Sequence, residues 1–463
     1  MHPPMLKNLE TYFEFTRLGT NWRTEVLAGV TTFLTMAYIV LVNPAILSAT
    51  GMPLAAVTAA TCLSAAFGSI LMGIVARYPI ALAPGMGLNA YFTYTVCLKM
   101  HIPWQTALGA VFLSGIIFLA LTAFGIRQMI LRSIPHELYA AVASGIGLFI
   151  AFIGFRNSGL VVADPATFVG LGNLRNPTTF LALFGLILMV ALEVRKVKGA
   201  ILLGVLTTTA CAWALAFAIL HSGSAPGPIA PDSATAWAQN LTHWAPAPGG
   251  FEALGATMFK LNIRGAINTG LLEIVFVFFF VDLFDNLGTL VAVTKRAGLI
   301  SADHSIPRLN RILLTDATAT VFGSLTGTST VTSYVESTAG VMAGGRSGIT
   351  AIVTGLLFLG AIGAAPFVGL VPPAATAPAL ILVGSLMLAT ITEIRWTDPL
   401  VAVPSFLTLI LIPLTYSIAN GLGFGIIAWA VLHLTAGKFR RQDWLLYVLA
   451  ALFLVRFIYL GAG

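Results

Sequence analysis

The sequence predicts an all-α membrane protein with fourteen transmembrane helices, arranged as an inverted repeat of seven plus seven. Three observations predict this fold: the composition, the spacing of the apolar segments and matched prolines in the two halves. Of 463 residues, 58% are hydrophobic and only 9% are charged, against roughly 25% charged in a soluble domain. So few charges could not cover a water-facing surface, and lipid must therefore serve as the solvent.

Fourteen apolar stretches have the length of about 17–25 residues that a spanning helix needs. We number them as segments 1 to 14; they lie near 26–47, 54–76, 79–98, 103–124, 135–155, 178–194, 199–220, 267–293, 310–326, 329–344, 348–368, 374–392, 399–416 and 419–436. Residues 444–460 form one more apolar stretch, either a fifteenth span or an interfacial helix, and Arg456 within it favours the interface.

The basic residues predict the orientation. With a cytoplasmic N-terminus, eighteen Lys and Arg lie on the inner side and five on the outer side, as the positive-inside rule requires. The net charge of +7 thus reflects topology, and no nucleic-acid partner is expected. The three cysteines stand in apolar stretches without metal-ligand spacing, so neither a metal nor another cofactor is expected.

The two halves repeat the same signals. Pro135 precedes Gly147 by twelve residues at the start of segment 5, and Pro372 precedes Gly384 by the same interval at the start of segment 12. Because each half has an odd number of helices, the second half must be inverted relative to the first. Inverted repeats are a recurring architecture of transporters, which bind substrate near the midplane where broken helices meet.

Segments 3 and 10 are unsuited to ordinary spanning helices. Segment 3 has Pro84 and two glycines at mid-length, followed by Asn89, and segment 10 has the hydroxyl-rich run 327–333 before Glu336. Extended backbone is tolerated in a membrane only where protein or a wet cavity satisfies it. We therefore expect both segments to be broken, each giving way to a half-helix whose N-terminal N–H groups face a ligand.

Four acidic residues lie away from the ends of the predicted spans, where an ionisable group costs at least ~2.5 kcal/mol and calls for a reason. They are Asp282, Asp285, Asp316 and Glu336. Asp282 and Asp285 share a helix face among phenylalanines, which suits a carboxyl group that gains and loses a proton. One of this pair has an alternative role as a structural partner of segment 10, and for Asp316 a structural role is favoured.

Other functional classes fit less well. The sequence has no G-x-S-x-G, H-E-x-x-H or Walker A motif, so an enzyme or an ATP-driven pump is not expected. An anion carrier of the same architecture would have its substrate repelled by three buried acids. A channel does not require an inverted repeat around one asymmetric acidic site.

Four motifs, in order, resemble those of the azaguanine-type purine permeases, a branch of the nucleobase–cation symporter-2 (nucleobase–ascorbate) transporters. The resemblance extends from about residue 13 to 436. The motifs are TTFLTMAYIV at 31–40 with NP at 43–44, APGMGLNA at 83–90, DLFD at 282–285 with GT at 288–289, and TSTVTSYVES at 328–337.

The resemblance implies a division into moving parts. Segments 1–4 and 8–11 would form a core domain, and segments 5–7 and 12–14 a gate domain. The parts in chain order are the cytoplasmic N-terminus (1–25), core (26–124), gate (135–220), external loop (221–266), core (267–368), gate (374–436) and a C-terminal basic segment with the last apolar stretch (437–463).

The resemblance also implies proton-coupled uptake of purine bases such as hypoxanthine, guanine or adenine through the cell membrane. Uracil or xanthine transport and a homodimeric assembly stay open. By motif, the purine contacts would be Asn89 in segment 3, Asp282 in segment 8 and Glu336 in segment 10, with Asp285 a second candidate in segment 8. The candidate contacts and proton carriers together are Gly87, Asn89, Asp282, Asp285, Ser333, Val335 and Glu336.

Overall fold

The computed structural model describes residues 4–124, 135–222, 237–239, 241–242, 249–268, 272–299, 306–439 and 443–459. Two short helices, Pro4–Tyr12 and Phe15–Leu18, precede segment 1. In the first half the segments are Trp22–Met36 with Ile39–Leu47 and Ser48–Thr50 (segment 1), Leu54–Leu71 with Met72–Ala76 (2), strand β1 Leu82–Pro84 with helices Met86–Ala90 and Tyr91–Lys99 (3), Trp104–Ala123 (4), His136–Asn157 (5), Pro177–Val194 (6) and Ala200–Ser222 (7).

Strands β2 (Val161–Asp164) and β3 (Phe168–Leu171) form a hairpin between segments 5 and 6, and helices Phe251–Leu254 and Ile263–Asn268 precede the second half. Its segments are Leu272–Ala297 (8), Leu309–Thr326 (9), strand β4 Val331–Ser333 with helix Ser337–Met342 (10), Gly348–Ala361 with Ile362–Leu370 (11), Pro373–Met387 with Leu388–Glu393 (12), Pro399–Thr415 (13) and Ile418–Thr435 (14). Nine helical stretches among the described residues are long and apolar enough to cross a membrane.

The predicted inverted repeat is visible in the order of elements. Segments 3 and 10 are the only two of the described segments that open with a strand before a short helix. Pro177 and Pro399 begin segments 6 and 13, and Asn176 and Asp398 cap these helices by accepting the N–H two residues further on. Equivalent helices therefore begin with the same local chemistry.

Segments 5 and 12 cross at the two glycines that the repeat makes equivalent. A side chain on Gly147 would collide with the carbonyl oxygen of Gly384, and one on Gly384 with that of Gly147. Small residues at such a crossing let two membrane helices approach to backbone contact. The pseudo-symmetry of the sequence thus becomes a physical contact between the two halves.

Two sets of segments account for most of the packing. Segment 11 packs against segments 1 and 2, and segment 9 against segments 2 and 4. Segment 12 packs against segments 5, 6 and 7, while segment 13 packs against segments 5 and 14. Segment 1 begins at Trp22, earlier than the predicted residue 26, and segment 8 is described from Leu272 to Ala297.

The C-terminal helix Trp444–Tyr459 follows segment 14 in the antiparallel direction. The ring of Tyr447 lies 5.7 Å from that of Trp429, and Arg456 Nη1 donates to Asn420 Oδ1 at 3.2 Å. Tyr447 and Arg456 are nine residues apart in the C-terminal helix, and their partners Trp429 and Asn420 are nine residues apart in the opposite order along segment 14. The helix lies alongside segment 14 over most of its length, and Arg456 has a hydrogen-bond partner in that segment, Asn420, which the apolar pattern could not indicate.

Candidate functional site

The two halves meet in an antiparallel strand pair. Strand β1 of segment 3 pairs with β4 of segment 10, with Leu82 opposite Ser333, Ala83 opposite Thr332 and Pro84 opposite Val331. Two such short strands cannot satisfy all of their own backbone groups, because each still has an outer edge. The pair therefore depends on side chains from neighbouring segments.

Hydroxyl groups from the preceding helices satisfy both outer edges. Ser69 in segment 2 accepts from the N–H of Leu82 at 2.9 Å and donates to its carbonyl oxygen at 3.1 Å. Thr320 in segment 9 does the same for Val331, accepting at 3.2 Å and donating at 2.9 Å. Segments 2 and 9 are equivalent in the repeat, so each half supplies the hydroxyl that its own strand needs.

The half-helices begin directly beside this strand pair. Segment 3 becomes helical at Met86 and segment 10 at Ser337, with Glu336 as its N-cap residue. The Ala81 N–H donates to Ser337 Oγ at 3.0 Å, which ties the start of one strand to the start of the opposite half-helix. Both helix breaks predicted from the sequence are therefore present, and they lie side by side at the strand pair.

Glu336 has two carboxyl oxygens in different surroundings. Oε1 accepts a hydrogen bond from the Tyr38 hydroxyl at 2.6 Å. Oε2 is buried and has no hydrogen-bond partner among the described residues. One oxygen is thus committed to segment 1, while the other remains available for a proton or for a ligand N–H.

Asn89 lies at the centre of a buried amide and hydroxyl network. Its Nδ2 donates to Asn43 Oδ1, and its Oδ1 accepts from Ser329. Asn43 in turn donates to Thr61 at 2.7 Å and to Thr328 at 3.3 Å. Segments 1, 2, 3 and 10 are therefore joined through Asn89, and both of its polar atoms are already hydrogen-bonded.

Asp282 lies within segment 8, the helix that packs beside the strand pair. The side chain is buried, and segment 8 packs against β4 and both half-helices. Phe278, one helical turn before Asp282, meets the ring of Tyr91 edge-on at 5.4 Å. The helix continues through Asp285, but the side chain of Asp285 lies outside the described residues.

The three smaller candidates differ in their surroundings. Ser333 is buried, and its Oγ has no hydrogen-bond partner among the described residues. Gly87 faces segment 5, where an added Cβ would collide with Ile146. Val335 is 47% exposed. Ser333 therefore resembles Glu336 in having an available polar atom, whereas Gly87 allows close approach between segments 3 and 5.

Three aromatic side chains close to the candidate contacts along the chain, Tyr91, Phe92 and Phe280, are packed in the protein interior. Tyr91 and Phe92 both contact Phe278, and Phe280 contacts neighbouring phenylalanines of its own helix. The side chain of Phe284 lies outside the described residues. In the part of the chain that the structure describes, no group of three or more His, Cys, Asp or Glu side chains could hold a metal ion.

Sequence reasoning missed several residues that complete the site. Tyr38 and Asn43 belong to a recognised motif in segment 1, yet neither attracted a role. Ser69 and Thr320 satisfy the strand edges, and each is one of several Ser and Thr residues in its helix. Ser and Thr are common in membrane helices, so only knowledge of the broken neighbour would have shown which of them bonds to a strand.

The sequence pattern of the permease family (Xan_ur_permease) matches residues 23–422, and this range includes both half-helices and every candidate residue. The chain belongs to this permease family. It is 48% identical to a putative permease of Methanocaldococcus jannaschii over 459 residues, which cover 99% of this chain and 100% of the relative. It is 43% identical to the guanine/hypoxanthine permease PbuG of Bacillus subtilis, over 98% of this chain and 100% of that protein.

The adenine permease AdeP of Escherichia coli is 40% identical to this permease, over 98% of this chain and 97% of AdeP. Among solved structures, the transmembrane domain of the cyanobacterial bicarbonate transporter BicA matches with a TM-score of 0.59 at 16% identity, over 87% of this chain and 97% of that domain. Murine Slc26a9 matches with a TM-score of 0.62 at 12% identity, over 91% and 69%. At these identities the likeness concerns the fold, which is that of a polytopic membrane transporter.

Proposed function

We propose that this permease imports purine nucleobases into the cell by symport with protons. The observation that carries the proposal is near-complete coverage of relatives named as guanine/hypoxanthine and adenine permeases, at 40–43% identity. The proposal thus names a substrate class, a coupling ion and a direction of transport.

Substrate recognition is assigned to the polar atoms beside the strand pair. Purine bases present N–H donors along their edges, and the buried Oε2 of Glu336 and Oγ of Ser333 have no partner among the described residues. Asp282 contributes from segment 8. Asn89 either positions the site through its hydrogen-bond network or contacts the base with the donors and lone pairs that the network leaves free. Gly87 and Val335 complete the set of contacts proposed for the two half-helices.

The coupling proton is assigned to the acidic residues of the same site. Glu336 is the first candidate, and Asp282 and Asp285 are the alternatives. In this scheme, segments 1–4 and 8–11 move as a core against segments 5–7 and 12–14. Loaded and empty forms cross while the singly loaded form crosses poorly, so that the proton gradient drives accumulation.

The test is uptake by a strain that lacks its own nucleobase permeases. We expect saturable uptake of labelled hypoxanthine, guanine or adenine, with less uptake of uracil and xanthine. Uptake is expected to fall with a protonophore and to persist without sodium, and an imposed inward proton gradient should drive it in vesicles. Strict sodium dependence would exclude the proton, and uptake of none of these bases would exclude the function.

The variant Glu336→Gln links the site to this activity. We expect it to reach the membrane and to lose concentrative uptake, because an amide cannot carry the coupling proton. Glu393→Gln is the matched control, since Glu393 lies outside the site with a half-exposed side chain. Wild-type accumulation by Glu336→Gln would remove Glu336 from the proposed coupling.

A further inference from the structure

Tyr38 lies at a joint in segment 1. The helix Trp22–Met36 ends just before it and Ile39–Leu47 begins just after it. At this joint the backbone forms tighter bonds, from Val40 N to Ala37 O at 3.2 Å and from Leu41 N to Tyr38 O at 3.0 Å. A short stretch of this tighter helix within a longer one often marks a functional hinge or a sequence under strain.

The joint directs the Tyr38 side chain into the protein, where it is fully buried. Its hydroxyl reaches Glu336 because segments 1 and 10 touch. One helical turn after Glu336, Gly340 lies so close to Thr32 and Ala28 of segment 1 that a side chain there would collide with both. The hydrogen bond from Tyr38 to Glu336 thus spans a tightly packed interface between the two halves.

The consequence for Glu336 is an asymmetric carboxyl group. A free carboxylate can accept two N–H donors side by side, one on each oxygen. Here the Tyr38 hydroxyl occupies Oε1 at 2.6 Å, and the buried Oε2 alone has no partner among the described residues. The Tyr38 hydroxyl fixes the orientation of Oε1 and takes one of its two lone-pair sites, so the group presents Oε2 as its fully open acceptor.

We propose that Tyr38 is a specificity-determining residue that holds Oε1 of Glu336 and so limits the site to a single carboxyl oxygen, Oε2, for the pyrimidine-ring edge of a purine. This proposal rests on the proposed function, with Glu336 ionised and the coupling proton on Asp282 or Asp285 when the purine is bound. Hypoxanthine presents one N–H on that edge, whereas guanine presents an N–H and an amino group side by side. The permease therefore recognises the donor that the two bases share, and guanine gains no second contact with Glu336.

The variant Tyr38→Phe releases Oε1 while keeping the ring. We expect the KM for hypoxanthine to rise about tenfold, the factor that corresponds to 1.4 kcal/mol, because the carboxyl group is no longer held in place. The KM for guanine should rise less, since guanine can now use both oxygens. The ratio of the guanine KM to the hypoxanthine KM is therefore expected to fall at least about threefold.

Tyr78→Phe is the matched control. Tyr78 is also buried, and its hydroxyl donates to the carbonyl oxygen of Pro307 at 2.7 Å, away from the strand pair. Its removal should leave the KM ratio unchanged. An equal rise of both KM values in Tyr38→Phe would overturn the proposal, because a general loosening of the fold cannot distinguish the two bases.

A second variant tests the same geometry with Tyr38 in place. In the variant Glu336→Gln, the Tyr38 hydroxyl would donate to the oxygen of the new amide group, and the amide NH₂ would then point to the ligand. The site thus presents a donor where the wild-type permease presents an acceptor. Purified Glu336→Gln should then lose hypoxanthine binding more than tenfold but keep adenine binding within about threefold, because adenine has an acceptor at the equivalent ring nitrogen. Retained hypoxanthine binding would mean that the amide turns freely and would overturn the proposal.

Failure of purine transport and failure of the Tyr38 role give different results. If the wild-type permease takes up no purine, the proposed function is wrong. If it takes up purines and both the KM ratio of Tyr38→Phe and the base preference of Glu336→Gln stay unchanged, only the role of Tyr38 is wrong.

Discussion

Asn89 combines a structural place at the centre of a buried network with the functional role proposed for it. The residue stood out in the sequence because it follows a Pro/Gly break within an apolar segment. Its hydrogen bonds to Asn43 and Ser329 were not predictable, since the partners lie in other segments. Glu336 was predicted for the same reason, and Tyr38 was missed because a tyrosine in a membrane helix is usually a packing or interfacial residue.

The two roles of Asn89 can be separated by substitutions. Asn89→Ala should raise the KM for every purine and lower the thermal midpoint, because it leaves buried partners unpaired at a cost of ~1–3 kcal/mol each. Asn43→Ala breaks the same network at its other end. It should lower the midpoint by a similar amount and change the KM less.

The measurement is uptake kinetics together with thermal stability of the purified variants. Asn157→Ala serves as the control, because that amide makes an exposed hydrogen bond to Tyr94 at 3.1 Å. If both Asn43→Ala and Asn89→Ala changed stability and left the KM alone, Asn89 would have no role in contacting the substrate.

At the scale of elements, segment 11 depends on a carboxylate from segment 1. Glu25 is fully buried and accepts from the backbone N–H of Arg346 at 2.9 Å and of Ser347 at 3.1 Å, just before the helix that begins at Gly348. The Thr350 hydroxyl donates to the same carboxylate at 2.5 Å. The sequence placed Glu25 in the cytoplasmic N-terminus, since an acid at the end of an apolar run is normally solvated.

Replacing Glu25 by alanine should destabilise the permease and leave substrate recognition intact. Loss of such a cap costs about 0.5–2 kcal/mol, and the buried N–H groups left unpaired add to this. We expect a lower thermal midpoint in detergent, with the KM for purines unchanged. An altered KM with a normal midpoint would contradict a purely structural role.

The broken segments themselves were predictable, because glycine, proline and hydroxyl residues are conspicuous in an apolar span. Their pairing was not, because periodicity within one segment says nothing about which distant segment lies beside it. The reciprocal use of Ser69 and Thr320 was hidden for the same reason.

For the whole molecule, hydropathy and basic residues were enough to give fourteen segments, and the spacing from Pro135 to Gly147 and from Pro372 to Gly384 was enough to indicate the repeat. Hydropathy could not decide whether 444–460 spans the membrane, because one arginine is compatible with either arrangement. The structure places that helix antiparallel to segment 14, with Arg456 bonded to Asn420.

This arrangement predicts the side of the membrane on which the C-terminal helix ends. If the N-terminus is cytoplasmic, as the basic residues predict, a reporter active only outside the cytoplasm should be inactive when fused after Ala436 and active when fused after Tyr459. A reporter of cytoplasmic location should give the opposite pattern. Equal signals from both fusions would mean that the helix does not cross.

The strand pair has a consequence for how the protein is made. Tyr334, whose hydroxyl bonds to the carbonyl of Pro84, lies 250 residues further along the chain. At about 5–20 residues per second, the ribosome needs on the order of 10–50 s to reach it after synthesising segment 3. During that interval β1 has no partner strand, and unpaired backbone groups in hydrocarbon cost several kcal/mol each. We therefore expect segment 3 to remain bound to the translocon, to a chaperone or to Ser69 and its neighbours until the second half of the protein is inserted.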